Sequence, residues 1–340
     1  MQPWLLSIEK LKIILDTRDD LRIALEKALQ KAAFAEIKDI PQYLTFLKNI
    51  LTHIPTRREM PPTTEQFHLI VNSSPGDLLQ KDETFQAWLV TFAKDHGNFL
   101  DTTESAKELD TFIKDPEYRI QEYDRGPSGW LTFNQFFARH VKPGKRPVAE
   151  PCNDAIIVSA SDSVYLGCWP ITGNLKVTAK GSSYRIKELL EGSPYQDRFS
   201  NGFFTHSYLD TNDYHRYHTP VPGTIKEARI IPGRSFVEET RNDEGKLETK
   251  DEVGFQFRQT RGLLIIDSPV GYVAVIPVGM GHVSSVNITA EIGAHLLKGE
   301  EFGYFCYGGS DMVMLFEKKL NFTARPGTHY KQGEEIGRAL

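Results

Sequence analysis

Gly293-Ala-His-Leu-Leu-Lys-Gly-Glu-Glu-Phe-Gly303 returns near the C-terminus as Gly327-Thr-His-Tyr-Lys-Gln-Gly-Glu-Glu-Ile-Gly337. In both copies two glycines frame a short strand, and a Gly-Glu-Glu turn leads into the next one. From about residue 150 onward the surrounding chain is written in short apolar runs punctuated by Gly and Pro. Ala155–Val158, Leu263–Ile266, Tyr272–Val278 and Met312–Phe316 are examples, mostly rich in Val and Ile, and they read as strands. Repeated hairpins of this kind suit a compact, mainly antiparallel sandwich or barrel. The expected class is α+β, with a helical domain over residues 1–120, a helix-turn connector over 121–150 and the β domain over 151–340.

The same hairpin signature occurs in lipoyl and biotinyl carrier domains, so these lipoyl-like elements are read as a folding device. A carrier needs a modifiable lysine at a hairpin tip, and no Met-Lys or Asp-Lys dipeptide stands at an equivalent turn.

The helical reading of the first part rests on period. Trp4, Ile8, Leu11 and Leu15 recur at helical spacing, as do Tyr43, Leu44, Leu47, Ile50, Leu51 and Ile54, and again Phe85, Trp88, Leu89 and Phe92. Thr56 to Thr64, with Pro61 and Pro62, reads as a loop between helices. A packing or assembly role is expected here, because no titratable cluster stands out. The segment Thr132-Phe-Asn-Gln-Phe-Phe-Ala-Arg-His-Val-Lys-Pro-Gly-Lys-Arg-Pro147 reads as a helix ending in a turn that docks the helical part onto the β part.

Composition narrows the classes of function. The chain has 340 residues, 40% hydrophobic and 25% charged, with a net charge of −5, an ordinary globular balance. No basic excess points to nucleic acid, and no polybasic run points to an anionic membrane. Charges interrupt the first helix, and no apolar run spans a bilayer, so no strong membrane anchor is expected. Cys152, Cys168 and Cys306 have no CxxC spacing, which argues against a disulfide framework or a zinc site. A cytoplasmic protein is expected, with assembly into a homo-oligomer left open.

Three segments carry chemistry. In Tyr304-Phe-Cys-Tyr-Gly-Gly-Ser-Asp-Met-Val-Met-Leu-Phe316, Gly-Gly-Ser lies between apolar residues, which is odd for a flexible turn. Two glycines permit strained backbone angles that bring the Ser310 hydroxyl against the Gly309 carbonyl. In Thr211-Asn-Asp-Tyr-His-Arg-Tyr-His-Thr-Pro-Val-Pro-Gly223, His215 and His218 stand three apart. In a strand they would face opposite sides and do different jobs. Alone they read equally well as surface histidines, and no third ligand at suitable spacing supports a metal. Asp162 ends the apolar run Ile156-Ile-Val-Ser-Ala-Ser-Asp-Ser-Val164, where it either orients a histidine or caps a turn.

Together these segments resemble the phosphatidylserine decarboxylase family. Thr132–Pro147 looks like that family's Phe-Phe-x-Arg motif followed by a Lys-Pro-Gly-x-Arg-Pro turn. The likeness continues through Asp162, Lys180-Gly-Ser-Ser-Tyr-Arg-Ile-Lys-Glu-Leu-Leu190 and Asp213-Tyr-His-Arg-Tyr-His218. It then runs through Val278-Gly-Met-Gly-His-Val-Ser-Ser285 and Lys298-Gly-Glu-Glu301 to Gly308-Gly-Ser310. It covers the chain after about residue 128, with the motifs in order. The first part looks like the helical domain of some fungal and bacterial relatives, including the soluble tryptophan decarboxylase of psilocybin biosynthesis.

The resemblance implies a triad of Asp162, His218 and Ser310. Asp162 would hold the His218 ring, and His218 would take the Ser310 proton so that the oxygen attacks Gly309. Cleavage would give a β chain of residues 1–309 and an α chain of 310–340 headed by a covalent pyruvoyl group made from Ser310. That group would take the substrate amine as a Schiff base and act as the electron sink for loss of CO₂. His215 would protonate or hold the substrate. Asp311 departs from the family's usual Thr or Ser. It is expected to repel a substrate carboxylate, to slow self-cleavage, or to pair with a substrate cation.

The substrate expected is a soluble amino acid, aromatic ones included, because no membrane-binding helix stands out. The alternative is conversion of phosphatidylserine to phosphatidylethanolamine in phospholipid biosynthesis. A further alternative is a scaffold that binds on this fold without processing.

Overall fold

The computed structural model describes residues 5–54, 62–179, 182–233, 239–241, 247–249, 257–279, 285–307 and 310–340. The helical part comprises α1 (Leu6–Thr17), α2 (Asp19–Ala32), α3 (Ile40–Thr52), α4 (Pro62–Asn72), α5 (Leu78–Lys81), α6 (Glu83–Leu100) and α7 (Leu109–Ile113). The period read from the sequence is the buried face: Ile8, Leu11, Leu15, Leu47, Phe85, Trp88, Leu89 and Phe92 share one apolar core. Trp4 lies outside the described residues. Side chains cap the starts, Asp39 accepting from Gln42 N on α3 and Asp82 from Phe85 N on α6. The loop expected over Thr56–Thr64 is shorter than its composition suggests. Pro62 opens α4, where a missing N–H costs nothing, so Pro62–Thr64 are helical, and residues 55–61 lie outside the described residues.

Short α8 (Phe133–Phe137) is capped by Thr132, which accepts from Gln135 N, and α9 (Ile186–Leu190) lies within the β part. The strands run in four groups. First come β1 (Ile156–Val158), β2 (Ser163–Pro170), β3 (Lys176–Ala179), β4 (Ser182–Arg185) and β5 (Phe203–Leu209). Then follow β6 (Arg216–His218), β7 (Gly223–Ile231), β8 (Glu239–Arg241), β9 (Leu247–Thr249) and β10 (Arg261–Ser268). The third group is β11 (Gly271–Gly279), β12 (Val286–Ile288), β13 (His295–Leu296) and β14 (Glu301–Phe305). The last is β15 (Ser310–Phe316), β16 (Leu320–Phe322), β17 (Thr328–Tyr330) and β18 (Glu335–Ala339).

The main sheet has eight strands in the order β13-β7-β10-β11-β15-β5-β2-β17, all antiparallel. Two three-stranded sheets, β1-β18-β16 and β12-β14-β6, accompany it. Among the described residues no barrel closes.

The sheet order makes the weak repeat architectural. Groups one and four build one half, β15-β5-β2-β17 with β1-β18-β16, and groups two and three build its counterpart, β11-β10-β7-β13 with β6-β14-β12. The halves interlock reciprocally: Val158 N donates to Pro220 O at 3.1 Å, and His218 N to Ala160 O at 2.8 Å. Each Gly-Glu-Glu turn docks alike, Gly299 N on Thr219 O and Gly333 N on Ser159 O. Both glycines have positive φ, +83° and +88°, which explains why this turn requires glycine.

The central β15 has two buried faces. Met312, Met314 and Phe316 point into a core containing Leu209, Tyr217, Phe302, Phe305 and the α8 rings Phe133, Phe136 and Phe137. Val313 and Leu315 point into another, with Phe204, Ile276, Val278 and Leu189. Strand alternation puts Ser310 with the first set and Asp311 with the second.

Candidate active site

Ser310 is the first residue of β15, 1% exposed, and opposes Gly279 on one side and Leu209 on the other. Gly308 and Gly309, and with them the expected cleavage carbonyl, lie outside the described residues, as do Lys180, Gly181 and residues 280–284.

His215 immediately precedes β6 and is fully buried. Its carbonyl accepts from Phe305 N at 2.9 Å, and its ring lies 3.9 Å, centroid to centroid, from Phe137. Nδ1 is 3.0 Å from Asp213 O, so Nδ1 carries the proton and Nε2 is the basic nitrogen. That Nε2 is buried with no hydrogen-bond partner among the described residues. Burial, helped by the Arg139 cation, pushes the ring down to about 3, so it is neutral at pH 7.

His218 sits elsewhere. It opposes Glu301, at the far end of β14 from Phe305. Its Nδ1 donates to Gly299 O at 2.8 Å, and its Nε2 accepts from Tyr214 Oη at 3.1 Å. Burial lowers this ring too. The two histidines therefore occupy separate environments. The reason is more than alternation, because β6 starts only at Arg216.

Asp162 is fully buried, but its partners are not the histidine. Arg146 Nε approaches Oδ1 and Oδ2 at 2.8 and 3.0 Å, Arg146 Nη2 reaches Oδ2 at 2.5 Å, and Gln332 N donates to Oδ1 at 2.9 Å. The expected Asp162–His218 hydrogen bond is not formed. The Arg146 guanidinium offers a bidentate match that a ring nitrogen cannot equal, and Tyr214 already occupies the histidine. The link between them is backbone, from His218 N to Ala160 O.

Several contributing residues went unnoticed as site residues in the sequence. Arg139, in the Phe-Phe-x-Arg run, donates to Asn212 O at 2.8 Å and Asp213 O at 3.1 Å, anchoring the histidine segment. Arg146, in the Lys-Pro-Gly-x-Arg-Pro turn, holds Asp162. His329, in the second repeat copy, meets Asp213 Oδ1 at 2.8 Å, and that bond raises its pKa. Motif membership was the available signal for the arginines; nothing local marks His329.

A cleft of about 420 Å³ lies beside the strand leading to Ser310, lined by Trp130, Asn134, Arg216, Tyr304 and Cys306 among others. The described residues contain no group of three or more His, Cys, Asp or Glu that could hold a metal. Among them, no helix is long and apolar enough to cross a membrane.

A family model described as phosphatidylserine decarboxylase matches residues 133–338. Phosphatidylserine decarboxylase proenzyme 2 of Oryza sativa is 31% identical over 68% of this chain and 36% of its own length. Proenzyme 3 of Schizosaccharomyces pombe is 34% identical over 65% of this chain and 22% of its own length. The proenzyme of Vibrio vulnificus is 32% identical over 61% of this chain and 78% of its own. The match thus spans about a third or less of the rice and fission-yeast relatives.

Proposed function

The chain belongs to the phosphatidylserine decarboxylase family, and from that membership we propose that it cuts itself between Gly309 and Ser310 and, with the resulting pyruvoyl group, decarboxylates phosphatidylserine. The name shared by the rice, fission-yeast and Vibrio relatives favours this substrate over the soluble amino acid expected from sequence.

The observation that carries the proposal is that a buried Ser310 at the head of the central strand borders the same core as a buried His215, whose Nε2 has no hydrogen-bond partner among the described residues. His215 packs on Phe137 and Phe305, which belong to the core that Ser310's strand face enters. A buried polar atom without a partner costs free energy unless a bound group uses it. A bound polar group in this core, such as a carbonyl made at position 310, would give that nitrogen a partner. When formed, that group supplies electron withdrawal from the substrate carbon that loses CO₂.

The chain's own residues do the rest. In self-cleavage His218 is the base proposed from the family motif: its Nδ1–H bond to Gly299 O makes Nε2 the accepting nitrogen, and Tyr214 Oη, which holds that nitrogen here, has to release it before it takes the Ser310 proton. Asp162 fixes the Arg146 turn and the Gln332 backbone around it. His215, at the Phe305 end of β14, orients the substrate and handles its proton. The aromatic walls exclude water.

Intact mass of the purified protein, with CO₂ release measured on phosphatidylserine vesicles and on free tryptophan, tests this. Two polypeptides divided after Gly309 and CO₂ from the vesicles are expected. CO₂ from tryptophan alone would move the substrate to a soluble amino acid. Catalysis by an uncut chain would defeat the proposal.

A further inference from the structure

Asn134 joins three parts of the molecule. Its Nδ2 donates to Asp101 Oδ1 at 2.9 Å and to Gly97 O at 3.4 Å, at the C-terminal end of α6. Its Oδ1 accepts the N–H of Tyr307 at 3.2 Å, three residues before Ser310. The side chain is 6% exposed. Because the Asp101 carboxylate can only accept, it forces the amide to turn its oxygen toward Tyr307. The neighbouring rings complete the grip: Phe133 and Phe137 pack edge-on against Tyr307 at 5.3 and 5.4 Å, and His96 of α6 at 6.1 Å. Downstream of the cleavage segment, Ser310 is already held in the sheet between β11 and β5.

We propose that Asn134, oriented by Asp101, is a positioning residue for self-cleavage: it fixes the chain entering the scissile peptide so that Gly309 meets the Ser310 hydroxyl. In that step the bond from Gly309 carbon to Ser310 Oγ forms and the bond from Gly309 carbon to Ser310 nitrogen breaks. The hydroxyl proton ends on the freed nitrogen. A nucleophile placed an ångström off loses rate steeply, so a hydrogen bond on the entering strand acts on rate without touching the reacting atoms. The helical part thereby acquires a task, since α6 supplies Gly97 and His96, and Asp101 follows directly after it.

This inference rests on the self-cleavage reading above, and the test separates the two. Cleavage of freshly made full-length chain is timed by denaturing gel for the native protein, Asn134→Asp, Asp101→Asn and the double exchange, each checked for folding by thermal melting. Asn134→Asp sets two carboxylates face to face and should slow cleavage at least about tenfold, the factor one hydrogen bond gives in a rate. The double exchange restores one donor and one acceptor and should recover a rate within about threefold of native. A folded Asn134→Asp that cuts at the native rate would overturn the inference, as would a folded double exchange that stays uncut. If Asn134→Asp does not fold, the double exchange alone decides. If the native chain stays whole, the self-cleavage reading fails instead.

Discussion

The Asp311 carboxylate lies 2.8 Å from His206 Nε2, both side chains at most 2% exposed, on the face of β15 turned away from Ser310. His206 stands on β5 opposite Val313, and Val313 shares Asp311's face. The place of Asp311 directly after the serine suggests, from sequence, a role on substrate or on cleavage. Alternation sends it into the other core, where it meets a histidine from the next strand.

Asp311→Asn is therefore expected to act on stability. Weakening a buried hydrogen-bonded pair costs roughly 1–3 kcal/mol, which lowers Tm by several degrees, while self-cleavage stays within about threefold of native. Thermal melting and a gel of the same preparation measure both. Blocked cleavage at an unchanged Tm would put Asp311 in the reaction.

Ser310→Ala removes the only hydroxyl at the scissile position and should yield one uncut polypeptide with no decarboxylase activity. In the native protein the small fragment should resist N-terminal sequencing, and hydroxylamine should abolish activity by capturing its ketone. A free serine at the start of that fragment would point to ordinary proteolysis.

The separate settings of the two histidines predict separate phenotypes. His218→Ala and Asp162→Asn should impair cleavage, whereas His215→Ala should leave it largely intact and lower CO₂ release at least about a hundredfold, the scale of a lost proton-transfer group. Fragment ratio and turnover, read on the same samples, check this. Equal loss of cleavage in His215→Ala and His218→Ala would erase the division.

Acid should destabilise the fold early. His68 and His215 are pushed down to about 3 and His96 to about 4, each by burial first. Below the unfolded value of about 6.5 the unfolded chain binds protons that the folded one refuses. Stability from these neutral rings is full above that pH and is lost as pH falls toward 3–4. His329 runs the other way. Its pKa is raised by Asp213, so its contribution is full below about pH 6.5 and fades as pH rises through the raised value. Melting curves across pH 4–8 should show the acid loss shrinking in His96→Gln, and a variant curve parallel to native would contradict it.

Period and repetition were legible in the sequence because they are local. The buried stripe Ile8-Leu11-Leu15 and the paired Gly-Glu-Glu turns report their own elements, and ordered motifs around Ser310, His215 and His218 placed the chain in its family. Tertiary structure alone decided who meets whom. Asp162 pairs with Arg146 rather than His218, Asp311 with His206, Asn134 with Tyr307, and the two repeat copies end on opposite edges of one sheet. Those contacts join residues up to 173 positions apart, and their geometry depends on strand register and face. A one-residue slip would exchange every partner while leaving composition and local period unchanged.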